Sequence, residues 1–170
     1  MLGKIVMRVL LSLVLLVGIS SAAGAQAIQR IEIAEPGIYR AEKKSSMIEP
    51  GAAGGTRTVM VDPTLVEATN TISANVGVHF GFRYRTFGSR GALATLKFVT
   101  LLPQPGIRDP KTGIAKTRSE YLDRVRVGET RFKGFIFDHS WEIVTGNWTF
   151  EIWDGDRKLG SQSFNVVATF

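Results

Sequence analysis

Basic side chains crowd the middle of this sequence. Arg83, Arg85, Arg90, Arg118, Arg124, Arg126, Arg131 and Lys133 all fall between positions 83 and 133. A guanidinium is a planar fork that pairs bidentately with phosphate, sulfate or carboxylate. Arg83 and Arg85 are two apart, and so are Arg124 and Arg126, so on strands each pair lies on one face. If the two strands are neighbours, four forks make one anion-binding patch. Arg83, Arg85, Arg124 and Arg126 are therefore the candidate binding residues. The competing reading is an ordinary solvated face laced by Glu120, Asp123 and Glu129. Nucleic acid is not the expected anion, because stacking aromatics are not interleaved with the arginines.

Other chemistry has weaker support. Trp153 falls on the strand face opposite Trp148, Phe150 and Ile152, beside a turn, so it is the indole that could stack on a sugar ring. His79 and His139 are the only histidines. A metal site wants three or four ligands, cysteine is absent, and adjacent Asp138 and His139 point to opposite faces of a strand. Both histidines are read as surface or rim residues, with no metal site. No Gly-x-Ser-x-Gly elbow accompanies the serines. Glu142, Glu151 and Asp154 read as solvated face residues rather than a pair set across a cleft. No catalytic residue and no cofactor is assigned, and a non-enzyme is expected.

The elements that must carry these residues read as strands. In Gly146–Val166, Trp148, Phe150 and Ile152 alternate with Thr149, Glu151 and Trp153, the period of a half-buried strand. Asp154-Gly155 turns the chain, and Gly160 is the natural site of a bulge on the return. A lone hairpin is marginal in water, so this apolar face needs a second layer. Val76, Val78, Phe80, Phe82 and Tyr84 form the longest alternating run, and residues 92–102 read as a more central strand. Pieces at 28–41, 57–62, 65–72 and 132–141 read as further strands, with Pro63 as a break and Glu42–Thr56 as a loop. Residues 118–128 read as extended structure with Val125 and Val127 inward, with a helix carrying Tyr121, Arg124 and Val125 as the alternative. With seven to nine strands and no convincing helix, the expectation is an all-β, antiparallel β-sandwich of immunoglobulin-like architecture, with a closed barrel as the alternative.

Residues 1–27 read as a cleavable signal peptide. Lys4 and Arg8 precede an apolar run from Val9 to Ile19, and Ala25-Gln-Ala27 fits a small-residue cleavage site. The run is too short to span a bilayer as a helix. The expected mature domain, residues 28–170, is large enough for a sizeable core. Loss of Lys4 and Arg8 takes its formal charge from +6 to +4, a modest surplus. The expected location is the periplasm or the exterior, with no transmembrane anchor after cleavage. With no cysteine anywhere, stability should not depend on redox conditions.

Several short motifs recur in an order that resembles a bacterial family. They are Gly37-Ile-Tyr39, Thr69-Asn-Thr-Ile72, Phe80-Gly-Phe82, Asp109-Pro110 with Thr112-Gly113, Gly146-Asn-Trp148 and Ser163-Phe-Asn-Val166. Together they resemble the domain-of-unknown-function family DUF3859 over nearly all of the expected mature chain. The resemblance implies an exported, single-domain, all-β protein and transfers no site residue. The reading that results is a non-enzymatic envelope module engaging a protein partner, an anionic glycan or a lipid head group. A carbohydrate-binding module centred on Trp153 is the alternative, with a hydrolase behind it.

Overall fold

The computed structural model describes residues 27–169, with backbone alone at 43 and 44. The leader expected over 1–27 lies, except for Ala27, outside the described residues. Among the described residues no helix is long and apolar enough to cross a membrane. The described residues form eleven strands: β1 (Ile28–Ile48), β2 (Thr56–Ala68), β3 (Thr71–Ser73), β4 (His79–Gly88), β5 (Leu93–Leu101), β6 (Ile107–Arg108), β7 (Ala115–Lys116), β8 (Arg118–Arg126), β9 (Thr130–Ile136), β10 (Gly146–Asp154) and β11 (Arg157–Val167). One sheet runs β2-β1-β4-β9 and the other β3-β11-β10-β5-β8, with β6-β7 a small ribbon. Among the described strands only β3 pairs parallel, against β11. The all-β sandwich expected from sequence is therefore what forms. The strand count exceeds seven to nine because β3, β6 and β7 are two- or three-residue pieces.

The alternating runs supply the interior. Phe80, Phe82 and Tyr84 of β4 face Trp148, Phe150 and Ile152 of β10, and all six are buried. Phe80 sits at the centre, edge-on to Phe164, Trp148 and Phe150 at centroid distances of 5.3, 5.6 and 5.7 Å. Edge-to-face rings gain quadrupole attraction beyond their buried area. Gly81 separates Phe80 from Phe82 because the Phe132 ring lies over it; a Cβ there would come 2.7 Å from that ring. The β10–β11 hairpin slips by one residue where Ile152 pairs with Gly160 but Trp153 pairs with Lys158, so Leu159 is the extra residue beside Gly160.

Four local expectations are corrected. Residues 28–48 form one continuous strand rather than two pieces and a loop. A register shift between Ala34 and Gly37, with Glu35 at φ 53°, absorbs Pro36. Pro63 does not end β2, because it falls in a bulge of an edge strand, where a missing N–H leaves no partner unsatisfied. Strand β9 stops at Ile136, and Ser140–Glu142 is a short 3₁₀ turn. The run from Val76 enters the sheet only at His79.

The continuity of β1 has the largest consequence. Pairing of β1 with β4 ends at Tyr39–His79, but β1 and β2 continue together to Ile48–Thr56. The two strands thus project as an arm beyond β4. Its tip docks on β8, the edge of the opposite sheet: the Glu120 amide donates to the Gly51 carbonyl at 3.0 Å. Lys116 Nζ donates to the carbonyls of Pro50 and Ala52 at 2.8 and 3.0 Å. A Cβ on Gly51 would lie 1.9 Å from the Glu120 carbonyl oxygen, so only glycine permits this approach. The arm straps the side of the sandwich where edge strands β8 and β9 lie.

Candidate functional site

Beneath the arm, alternation on two edge strands turns polar side chains inward. On β9, Arg131 pairs opposite Tyr84 and Lys133 opposite Phe82, so both share the inner face with Phe135. On β8, Tyr121 pairs opposite Phe98 and Asp123 opposite Leu96, again on the inner face. Arg57 reaches in from the arm. Its Nη1 donates to Asp123 Oδ2 at 3.2 Å, and its guanidinium carbon lies 4.6 Å from the Tyr121 ring centroid. Arg131 Nη2 reaches the same Asp123 oxygen at 3.2 Å, while its Nη1 donates to the Arg124 carbonyl at 2.9 Å. One carboxylate therefore serves two guanidiniums, and the buried Nε of Arg57 has no partner among the described residues.

Lys133 is the unusual member. It is only 6% exposed, and a lysine is almost never buried unless paired. Its Nζ lies 4.9, 5.1 and 6.0 Å from the ring centroids of Tyr121, Phe150 and Phe98. Among the described residues no carboxylate or hydrogen-bond acceptor pairs with it. Burial, with the nearby Arg57 charge second, lowers its ammonium to a pKa of about 7. Burial likewise raises the Tyr84 and Tyr121 phenols, which stay protonated donors. Lys133, Arg57, Arg131, Asp123 and both tyrosines line a cavity of about 260 Å³. A single water needs only some 15 Å³ on this measure, so a small organic molecule fits. A smaller space of about 90 Å³ adjoins Lys133, with Thr100, Ser119 and Glu142 in its wall. The buried Glu142 carboxyl accepts the His139 amide at 2.8 Å, yet burial still raises its pKa.

The four arginines singled out from sequence do not converge. Arg83 and Arg85 lie on β4, whose neighbours are β1 and β9, while Arg124 and Arg126 lie on β8, whose neighbour is β5 in the other sheet. Arg83 pairs with Glu35 at 3.0 Å and donates to the Pro63 carbonyl at 2.6 Å. Arg85 lies 5.4 Å from the Phe87 ring. Arg126 pairs with Glu129 at 3.6 Å, and Arg124 is exposed on the outer side of β8. The condition for a shared patch, neighbouring strands, is not met. Trp153 is half-buried on the outer face of the second sheet. Its indole N–H donates to Glu151 Oε2 at 2.9 Å, and the ammoniums of Lys97 and Lys158 lie 5.3 and 5.6 Å from its ring.

The two histidines part company. His139 is exposed and stacked on Trp141 at 5.4 Å. His79 is buried, contrary to the rim position expected, because the Phe132 ring packs edge-on against it at 5.0 Å. Burial lowers His79 to a pKa of about 4, and its Nδ1 has no partner among the described residues. Sequence reasoning placed Arg131 and Lys133 in the basic run without singling them out, and it passed over Arg57. One signal was available: Arg131, Lys133, Phe135 and Phe137 share a parity, which puts the lysine in phase with core phenylalanines.

Comparison with known proteins agrees with this architecture. An immunoglobulin-like protein from Pseudomonas aeruginosa is 25% identical, with TM-score 0.59, over 85% of this chain and 100% of its own. The alkylpurine DNA glycosylase AlkC of Pseudomonas fluorescens, bound to abasic-site DNA, is 9% identical over 78% of this chain and 30% of its own, at TM-score 0.37. A β-glucosidase of Listeria innocua is 8% identical over 75% and 16%, at 0.33. The last two likenesses are too remote to carry an argument. No curated protein gives a significant match. The sandwich is thus immunoglobulin-like, and with residues 28–166 matching the model described as Domain of unknown function (DUF3859), the chain belongs to that family.

Proposed function

We propose that this protein is an exported, non-enzymatic binding module that holds a small organic anion beneath its β-hairpin arm. One observation carries the reading: Lys133 is buried without a counter-charge, beside two guanidiniums that share a single carboxylate. Such an arrangement opposes folding on its own, because a buried charge is stable only when paired. A bound anion would relieve it, accepting charge-assisted hydrogen bonds from Arg57 and Arg131. Strongly perturbed ionisable groups in a cavity mark functional sites more often than chance. The leader-like sequence at residues 1–27 supports a site of action in the periplasm or outside the cell. The glycan reading has less behind it, since the Trp153 indole N–H is already held by Glu151.

The test is calorimetric titration of the purified mature chain with phosphate, sulfate, and short mono- and dicarboxylates. Saturable binding is expected for at least one carboxylate. It should weaken ten-fold or more in Arg57→Gln and remain unchanged in Arg83→Glu. Binding abolished by Arg83→Glu and untouched by Arg57→Gln would return the site to the outer strand face.

A further inference from the structure

Three features converge on Lys133 that an anion site alone does not require. First, the two guanidiniums already supply the charge that a carboxylate needs, and both arginine side chains are partly exposed. Second, Lys133 is buried, its amine lies among three aromatic rings, and no acceptor among the described residues holds it as an ammonium. A lysine desolvated in an apolar pocket beside another cation is the arrangement that yields a nucleophilic amine. Third, the Tyr121 ring faces both the Lys133 amine and the Arg57 guanidinium, so one phenol borders the amine and the anion position.

We propose that the ligand is a small oxo acid, whose carboxylate rests on Arg57 and Arg131 and whose carbonyl forms a reversible imine with the Nζ of Lys133. This rests on the anion-binding reading above and names the ligand class. In the step, the neutral amine nitrogen bonds to the carbonyl carbon. The carbonyl oxygen and the two N–H hydrogens leave together as water, and a C=N bond remains. No oxidant or reductant takes part, and hydrolysis reverses the step. The near-neutral titration of this amine is consistent with the chemistry, since an appreciable fraction is unprotonated at physiological pH. The phenol of Tyr121, kept protonated by burial, can donate to the carbonyl oxygen as it departs. The arm covers the site, which retards hydrolysis and selects ligands that fit under it.

The experiment incubates folded wild-type protein with glyoxylate, pyruvate or 2-oxoglutarate, reduces with cyanoborohydride, and maps the adduct by peptide mass spectrometry. One adduct on Lys133 is expected, at least ten-fold above more accessible lysines such as the half-buried Lys97 and the exposed Lys158. It should disappear in Lys133→Met and persist in Lys97→Met. Labelling spread evenly over surface lysines, or none at Lys133, overturns the proposal. Calorimetry with lactate and succinate, which lack the reactive carbonyl, separates the two readings. If these bind but no adduct forms, the imine fails while the anion site stands. If neither binding nor adduct is seen, both fail. Since the adduct is mapped on the wild-type chain, poor folding of a variant cannot mask the answer.

Discussion

Replacing Lys133 by methionine keeps most of the apolar stem and removes the amine, and it should make the protein more stable. In the unfolded chain the amine titrates near 10.5, and in the folded protein near 7. Between those values the unfolded chain binds a proton that the folded chain does not, so stability rises with pH across this window. Each tenfold loss of proton affinity on folding corresponds to about 1.4 kcal/mol. Relative to a neutral side chain, Lys133 therefore costs about 4 kcal/mol at pH 7 and about 2 kcal/mol at pH 9. Cation–π attraction to the surrounding rings returns a part of this, on the order of 1 kcal/mol. The assay is urea unfolding of wild type and Lys133→Met in a chloride buffer free of organic anions, at pH 7 and pH 9. Taking the difference between the two proteins cancels the titration of other groups, including Tyr84 and Tyr121. The variant should be the more stable at both pH values, with its advantage roughly halved at pH 9. A difference that does not change with pH, or a variant less stable at pH 7, refutes the reasoning, because Lys133 would then be ionised and paired in the native state.

Further outcomes follow from the same geometry. His79 stays neutral when folded down to a pKa of about 4 but takes a proton near 6.5 when unfolded, so it contributes to a loss of stability as pH falls through that interval, up to about 3 kcal/mol. Wild type compared with His79→Phe in acid unfolding shows it, and parallel curves would contradict it. Gly51→Ala places a Cβ 1.9 Å from the Glu120 carbonyl, so the arm tip must lift. The Glu120 amide should then exchange hydrogen at least ten-fold faster while amides of β10 are unchanged, and unaltered protection at Glu120 would show that the tip does not need this approach. Phe80→Ala removes the ring at the centre of the aromatic cluster and should cost about 3–5 kcal/mol in urea unfolding. A cost under 1 kcal/mol would place the packing centre elsewhere.

The interior was legible wherever the signal was local. Phe80, Phe82 and Tyr84, like Trp148, Phe150 and Ile152, sit two apart and must share a face if the backbone is extended. Asp154-Gly155 carries its own turn, and the bulge next to Gly160 follows from the parity slip between Leu159 and Phe164. The arm was not legible. Residues 42–56 have glycine, serine and lysine but no periodicity; 42–48 become ordered strand only because β1 finds β2 alongside, and 49–55 form the turn between them. Pro63 misled for the same reason: its effect depends on whether β2 is an edge strand, which is a property of the sheet order.

Sequence by itself settled that the domain would be built of strands, and which side of most strands would face inward, because period-2 alternation and turn chemistry act over a few neighbouring residues; that they stack as two sheets rather than close into a barrel was decided by long-range pairing. Alternation also placed Lys133 in phase with Phe135. What stood across from that lysine was decided only by the tertiary structure. Long-range pairing put β4 and β8 in different sheets, parting Arg83 and Arg85 from Arg124 and Arg126. The same pairing carried Arg57 from a distant part of the chain to within 3.2 Å of Asp123, and so enclosed an amine that composition alone would leave in water.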